Sequence, residues 1–186
     1  MNMNKVTLKE AFKYPFNRAK GMWNILWIFV PFIGFLILSG YTIRIVQEFS
    51  KGKFKQLPIF NFNKALELGF FMWLKSIPFS LVYFIVIFVL TLITPWFRVL
   101  NLLLSLFILP VLYVHFMNKE TVTSLFEFKI VKPVFIHFGD YVLTLLKSML
   151  VGLVFFIMII VLVGLPAGAF TKSIFIADFY RRRVKT

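Results

Sequence analysis

The sequence predicts an all-α polytopic membrane protein whose single domain covers residues 1–186, and three observations lead to that prediction. First, 60% of the 186 residues are hydrophobic and the mean hydropathy is +0.89, whereas soluble domains are about half apolar. Second, four long runs between Met22 and Phe170 contain no Asp, Glu, Lys or Arg. Third, the 21 Lys and Arg residues, which give a net charge of +14, collect in the joints beside these runs. Lipid phosphate is therefore the expected partner rather than nucleic acid, which binds a basic face on a folded soluble body.

The spacing of apolar residues predicts four hydrophobic helical segments and three interfacial amphipathic helices. The membrane segments are predicted at 22–43, 79–97, 99–117 and 148–170, and the interfacial helices at 7–20, 61–77 and 124–138. Residues 171–186 are predicted to form a basic C-terminal tail.

Two capping boxes indicate where interfacial helices begin. Thr7 and Glu10 begin the first helix, which Pro15 is expected to bend, and Ser124 and Glu127 begin the third. A cleaved signal peptide is the competing interpretation of the N-terminal region. No small-x-small cleavage site follows the first apolar run, so the interfacial helix is favoured.

The second and third membrane segments are predicted to form a spanning hairpin. Each has 19 residues, which is about 28 Å as a helix and matches the hydrocarbon core. The joint between them, residues 94–99, contains Pro95 as a helix breaker and Arg98 as its one charge.

The first and last membrane segments are interpreted as kinked or re-entrant. If all four segments cross, the Lys and Arg residues divide almost evenly between the two faces, against the positive-inside rule. If these two segments enter and return on one side, every basic joint except Arg98 is cytoplasmic, as are both termini. The alternative is that Pro and Gly only kink spanning helices. The helix-break candidates are Pro31, Gly34, Gly164, Pro166 and Gly168.

Several motifs resemble a family of small prokaryotic membrane proteins called domain of unknown function 4013. They are Ala11-Phe-Lys-Tyr-Pro-Phe16 followed by Trp23, then Gly40-Tyr-Thr-Ile-Arg44, then Gly52 with Leu57-Pro58. The Gly-Tyr-x-x-Arg and Leu-Pro elements are the most specific. The resemblance is closest over residues 7–78, and Phe126-Glu-Phe-Lys and Gly139-Asp-Tyr141 are similar to the family's second half. It implies an integral membrane protein and brings no activity or functional residue with it.

The basic joints supply candidate ligands for anionic lipid headgroups, since Lys and Arg beside membrane segments attract such lipids by about 1 kcal/mol each. These candidates are Arg44, Lys51, Lys53, Lys55, Arg181, Arg182 and Arg183. No catalytic, metal or cofactor site is predicted. The two histidines, His115 and His137, lack the convergent donors that a metal site needs, and a chain without Cys has no thiolate ligand or disulfide.

The favoured function is a non-enzymatic module of the cell membrane that binds anionic lipid, holds a partner protein or shapes the bilayer. The alternative is a small oligomeric transporter or channel subunit, which broken helices in the first and last segments would suit. A membrane enzyme ranks third because no catalytic set is visible. Self-association or a membrane partner protein is expected, since re-entrant turns need to be covered.

Overall fold

The computed structural model describes residues 5–53, 55–94 and 96–185, and the described chain folds into helices. The α-helices are α1 (Leu8–Lys13), α2 (Ile33–Ser50), α3 (Phe62–Ile93), α4 (Phe97–Leu103), α5 (Leu109–Lys119), α6 (Lys132–Ile136), α7 (Phe138–Ile157), α8 (Gly164–Thr171) and α9 (Ile174–Arg183). Segments of 3₁₀ helix lie at Phe16–Phe29, Val122–Phe126, Phe128–Val131 and Met158–Val161, and a π-helical turn at Leu104–Ile108 joins α4 to α5.

Three helical stretches are long and apolar enough to cross a bilayer. They are Phe62–Ile93, Phe97–Lys119 and Phe138–Ile160. The predicted count of four is therefore not confirmed, because the first apolar run is divided between two helical pieces at Val30–Phe32.

Helix α1 begins at the predicted capping box. The Thr7 hydroxyl accepts a hydrogen bond from the Glu10 N–H, and the Glu10 carboxylate accepts from the Thr7 N–H at 2.8 Å. That backbone hydrogen bond is the main reason why the pKa of Glu10 lies below its usual value. The helix ends at Lys13, before Pro15, and a 3₁₀ segment begins at Phe16.

The first apolar run folds back on itself. The 3₁₀ segment ends at Phe29, the backbone becomes extended at Val30, and Phe32 has a positive φ of 60° before α2 begins. A Cβ on Gly34 would lie 1.7 Å from the Trp27 carbonyl oxygen, so the two arms are in backbone contact beside the turn. Gly21, near the start of the outgoing arm, lies against the Tyr41 hydroxyl on the returning arm. The 3₁₀ segment and α2 therefore form a helical hairpin, hairpin A, whose tip is Val30–Phe32.

Helix α3 is one continuous helix of 32 residues, about 48 Å long. The prediction of an interfacial helix at 61–77 separate from a span at 79–97 is therefore wrong. Pro78 lies inside the helix, where it removes one backbone hydrogen bond without ending the helix, as membrane helices commonly tolerate. The Asn61 side chain caps the N-terminus by accepting from the Lys64 N–H at 3.1 Å.

Helices α4 and α5, with the π-helical turn between them, return alongside α3. Tyr83 of α3 donates a hydrogen bond to the Asn101 side chain of α4, and the Lys75 ammonium donates to the Glu120 carbonyl at 2.9 Å. Trp96 and Arg98 follow the end of α3, whereas the predicted breaker Pro95 lies outside the described residues. The predicted central hairpin is thus present as packed antiparallel helices.

The predicted helix at 124–138 is not formed as one element. Two 3₁₀ segments and the short helix α6 occupy this stretch. The second capping box is also wrong, because the Ser124 hydroxyl donates to the Thr121 carbonyl and the Glu127 carboxylate contacts His115. Ser124 and Leu125 are fully buried, so tertiary packing overrides the local capping pattern.

The last apolar run also folds back. Helix α7 continues as 3₁₀ helix to Val161, Leu162 adopts a left-handed conformation with φ 60°, and α8 then returns along α7. Gly164 packs directly against the Phe155 carbonyl, and the Ser148 hydroxyl donates to the Lys172 carbonyl at 3.3 Å. Helices α7 and α8 therefore form hairpin B, whose tip is residues 159–163.

Helix α9 lies in the centre of the protein. The prediction that residues 171–186 form a basic tail is therefore wrong for this helix. Its apolar side chains are buried against α2, α5 and α7. Tyr141 of α7 packs edge-on against Phe179, with ring centroids 5.0 Å apart. The hydrophobic residues at 174–180 account for this placement, since a helix with a wide apolar face is stabilised by burial.

Candidate functional site

Two adjoining cavities flank Arg44 at the junction of α2, the 51–61 connection and α3. The first, about 320 Å³, extends from Gly40 and Arg44 to Lys51 and Lys64. The second, about 440 Å³, extends from Arg44 along Gly52, Lys53 and residues 55–59 to Arg18. Arg44, Glu48 and Lys53 line both cavities. We call this pair of cavities the Arg44 cleft.

A close helix crossing positions α2 and α3 on either side of the cleft. A Cβ on Gly40 would lie 1.9 Å from the Ala65 carbonyl oxygen, and one on Gly69 would lie 1.8 Å from the Leu36 carbonyl oxygen. The backbones can approach this closely only because both positions are glycine. Gly40 of the Gly-Tyr-x-x-Arg motif is therefore a packing residue, which places Arg44 one turn further along α2.

The connection that forms the outer wall of the cleft is held by hydrogen bonds to its backbone. The buried Tyr41 hydroxyl donates to the Pro58 carbonyl at 3.0 Å. The Arg18 guanidinium donates to the Leu57 carbonyl at 2.7 Å, and the Asn17 amide donates to the Lys55 carbonyl at 2.6 Å. Because the Leu57 side chain is fully buried, the Leu-Pro element anchors the connection against hairpin A.

The first four predicted headgroup ligands, Arg44, Lys51, Lys53 and Lys55, converge on this cleft. Arg44 has a distant ion pair with Glu48, with Nε and Oε1 3.9 Å apart. Within the described ranges, the ammonium groups of Lys51, Lys53 and Lys55 make no hydrogen bond or ion pair. Their positive charges are available to a ligand. Sequence reasoning did not include Arg18 and Lys64, which also line the cleft.

The other three predicted ligands, Arg181, Arg182 and Arg183, lie in an internal ion-pair network. Arg181 and Arg182 contact the buried Asp178 carboxylate at 2.7 and 2.9 Å, and Arg182 and Arg183 contact Asp140 at 2.8 and 3.1 Å. The Arg181 and Arg182 side chains are only 12% and 7% exposed. These arginines serve the tertiary structure, so only the first four of the seven predicted ligands belong to the candidate site.

The same network holds the N-terminal segment in place. The Lys5 ammonium contacts Asp140 at 2.8 Å, and the Val6 N–H donates to Asp178 at 3.3 Å. No local pattern predicts these contacts, because their partners are separated by more than a hundred residues.

A second polar group that the sequence did not indicate surrounds His115. The His115 side chain is buried, with Nδ1 2.7 Å from the Tyr180 hydroxyl and Nε2 3.0 Å from the Glu127 carboxylate. Burial, together with the Glu127 carboxylate, raises the pKa of Tyr180. These contacts connect α5 to α9 and to the 3₁₀ segments, so His115 is a buried, hydrogen-bonded residue.

The helix-break candidates lie close to the turns of the two hairpins. Pro31 lies in the turn of hairpin A, and Gly34 lies in the first turn of α2, against Trp27. In hairpin B the turn is at Leu162, so Gly164, Pro166 and Gly168 lie within α8 rather than forming the break. Proline is favoured in the first turn of a helix, where its missing N–H costs nothing. This preference explains why Pro166 lies in the first turn of α8 and not at the break between the helices.

Both hairpin tips expose large apolar side chains. Phe29 and Phe32 are 79% and 61% exposed in hairpin A, and Ile160 and Leu162 are 86% and 81% exposed in hairpin B. Contiguous apolar surface of this kind marks a protein or membrane contact.

Residues 24–164 match the family model described as "Protein of unknown function (DUF4013)". The chain belongs to this family. The match confirms the resemblance, although it begins after the Ala11–Phe16 motif and includes most of the second half of the chain. No curated protein and no solved structure matches the chain.

Proposed function

We propose that this DUF4013 protein is a non-enzymatic integral membrane module that crosses the bilayer with its central hairpin and inserts hairpins A and B into one leaflet. The observation that carries the proposal is the distance from each apolar hairpin tip to the nearest charge. In hairpin A, Arg44 is 11 residues beyond Ile33 on α2, which is about 17 Å of helix. Half of the hydrocarbon core is about 15 Å.

Hairpin B has similar dimensions. Lys172 lies 10 residues beyond Leu162, which is about 15 Å of helix. On the outgoing arm, Ser148–Ile160 is the longest uncharged stretch before the tip, and at about 20 Å it is too short for the full core. Both hairpins therefore fit one leaflet, although α7 taken whole is long enough to cross.

The central hairpin has the dimensions of a full crossing. Between Lys75 and Thr94, α3 carries no charge, and between Arg98 and Lys119 the returning helices carry none. These stretches are about 27 and 30 Å long as helix, close to the thickness of the core. With this arrangement every basic joint except Arg98 faces the same side, as the positive-inside rule favours.

Two apolar hairpins inserted into one leaflet occupy area there and not in the opposite leaflet. The membrane is therefore expected to curve so that the inserted leaflet lies on the convex side. Self-association would concentrate this effect and cover apolar surface that one copy leaves exposed. We therefore include a membrane-shaping role and an oligomer in the proposal.

The proposal is tested with protein reconstituted into vesicles, by measuring vesicle shape and solute flux on the same samples. The native chain is expected to deform vesicles without conducting ions or carrying solute. Ile160→Asp places a charge on an exposed tip, which costs about 2.5–3.5 kcal/mol at membrane depth, and should abolish most of the deformation. Ile160→Leu is the matched control and should retain it. Flux without deformation would instead establish a transporter or channel.

A further inference from the structure

We infer that the Arg44 cleft binds the headgroup of an anionic phospholipid that carries two phosphates. The inference rests on the proposed function in one respect, since the cleft lies at headgroup depth only if the tip of hairpin A reaches the middle of the bilayer. The two cavities together fall within the range of about 300–1,000 Å³ that is typical of small-ligand sites.

The charge of the cleft is strongly unbalanced. Six cationic side chains line it, and Glu48 is its single carboxylate; the cations are Arg18, Arg44, Lys51, Lys53, Lys55 and Lys64. In the C-terminal arginine network, by contrast, bases are matched by acids, as Lys5 and Arg183 are by Asp140. The cleft thus brings six positive charges together with Glu48 as the one carboxylate among its lining residues, and an external anion would stabilise it.

The arrangement of the cations fits two phosphates rather than one. Arg44 and Lys53 are common to both cavities, whereas Lys51 and Lys64 line only the first, and Arg18 and Lys55 line only the second. Each cavity therefore has two cations of its own, and the two cavities share the Arg44 guanidinium between them. Arg is suited to that central position because its planar fork donates several hydrogen bonds to phosphate oxygens at once.

Apolar side chains at the edges of the cleft favour a lipid over a soluble phosphate compound. Ala65 and Leu68 line the first cavity, and Pro58 and Ile59 line the second. Ile59 is 71% exposed although it lies beside charged groups. Acyl chains leaving the headgroup would cover Ile59 and the half-buried Leu68, whereas a free polyphosphate would leave these two side chains in contact with water.

The test measures binding of the full-length protein, reconstituted in neutral lipid, to three probes. These are cardiolipin, which has two phosphates, phosphatidylglycerol at matched total charge, which has one, and inorganic pyrophosphate. The variant Arg44→Gln removes the shared guanidinium. Arg98→Gln is the matched control, because Arg98 is exposed in the joint between the central helices, away from the cleft.

The native chain is expected to prefer the two-phosphate lipid over the one-phosphate lipid. Arg44→Gln should weaken binding of that lipid by about tenfold or more, since hydrogen bonds to charged groups contribute that much, while Arg98→Gln should not. Equal affinity for both lipids, equal weakening by the two variants, or tighter binding of pyrophosphate than of lipid would each overturn the inference. Arg44→Gln should still deform vesicles of neutral lipid, because deformation depends on the hairpin tips. Deformation by this variant would therefore show that a failed binding test overturns the inference and not the proposed function.

Discussion

At the scale of single residues, Gly40 and Gly69 determine how closely α2 and α3 pack. Any side chain at either position would overlap a backbone carbonyl of the other helix, and backbone atoms cannot move aside as a flexible side chain can. The crossing therefore also determines the width of the Arg44 cleft, since Arg44 and Lys64 project from these two helices.

Gly40→Ala is expected to lower the free energy of unfolding by about 1–3 kcal/mol, the usual cost of overpacking. The physical reason is the 1.9 Å approach of the added methyl group to the Ala65 carbonyl oxygen. Thermal unfolding in detergent measures the change. Gly152→Ala in α7 is the control, because nothing lies within 4 Å of its added Cβ and alanine favours a helix by about 0.5–1 kcal/mol. Equal stability of the two variants would show that the crossing is not tight.

The sequence predicted some residue roles well and missed others for a physical reason. Motif spacing identified Gly40 and Arg44 as a unit, and both belong to one helix turn. The roles of Arg182 and Arg183 depend on Asp140, more than 40 residues away, and that of His115 depends on Tyr180, 65 residues away. Local pattern contains charge and capping signals, but it does not say which distant carboxylate will meet a given cation.

At the scale of helical elements, Pro and Gly residues predicted interruptions in the first and last apolar runs, and the structure has turns at Val30–Phe32 and at Leu162. Pro31 lies in one turn, where the fixed φ and the missing N–H of proline are tolerated better than in most helix interiors. In the last run the most conspicuous Pro and Gly residues lie inside α8, and the turn uses Leu162 in a left-handed conformation. A non-glycine residue in that conformation costs about 1–2 kcal/mol, so packing of α8 on α7 must stabilise the turn.

Hairpin B makes a sharp prediction about distance. Ser148 and Lys172 are 24 residues apart in sequence and in contact in the structure, whereas a straight helix would separate them by about 36 Å. Because the native chain has no Cys, the double variant Ser148→Cys, Lys172→Cys carries only two thiols. A bifunctional maleimide much shorter than the straight-helix distance should join them within one chain.

Intact mass detects this product as one molecule of crosslinker joined at both ends. The single variants Ser148→Cys and Lys172→Cys are the controls, since they can be joined only between two copies. Two singly attached, hydrolysed crosslinkers per chain would contradict the fold-back of α8 on α7.

At the scale of the whole molecule, the hydrophobic pattern predicted the class of protein but not its centre. The apolar runs predict which helices can contact lipid, whereas the segment predicted to be a basic tail forms the buried helix α9. Its three arginines predict an exposed basic tail, although residues 174–180 are mostly apolar and favour burial. The low exposure of Arg181 and Arg182 requires Asp140 and Asp178 to compensate their charges, because an uncompensated buried charge is strongly destabilising.

The topology that follows from the two hairpins can be tested by labelling single cysteines with a membrane-impermeant maleimide. Lys9→Cys, Lys53→Cys and Lys129→Cys should react from the same side of the membrane, and Arg98→Cys only from the other. In the proposed topology hairpins A and B return to the side of the membrane that they entered, so the N-terminal segment and the Lys53 region lie on the same side. If all four apolar runs crossed, Lys9→Cys and Lys53→Cys would react from opposite sides. Permeabilised membranes provide the control, since all four variants should then be labelled. Labelling of Lys9→Cys and Lys53→Cys from opposite sides of intact membranes would exclude insertion of hairpin A into one leaflet.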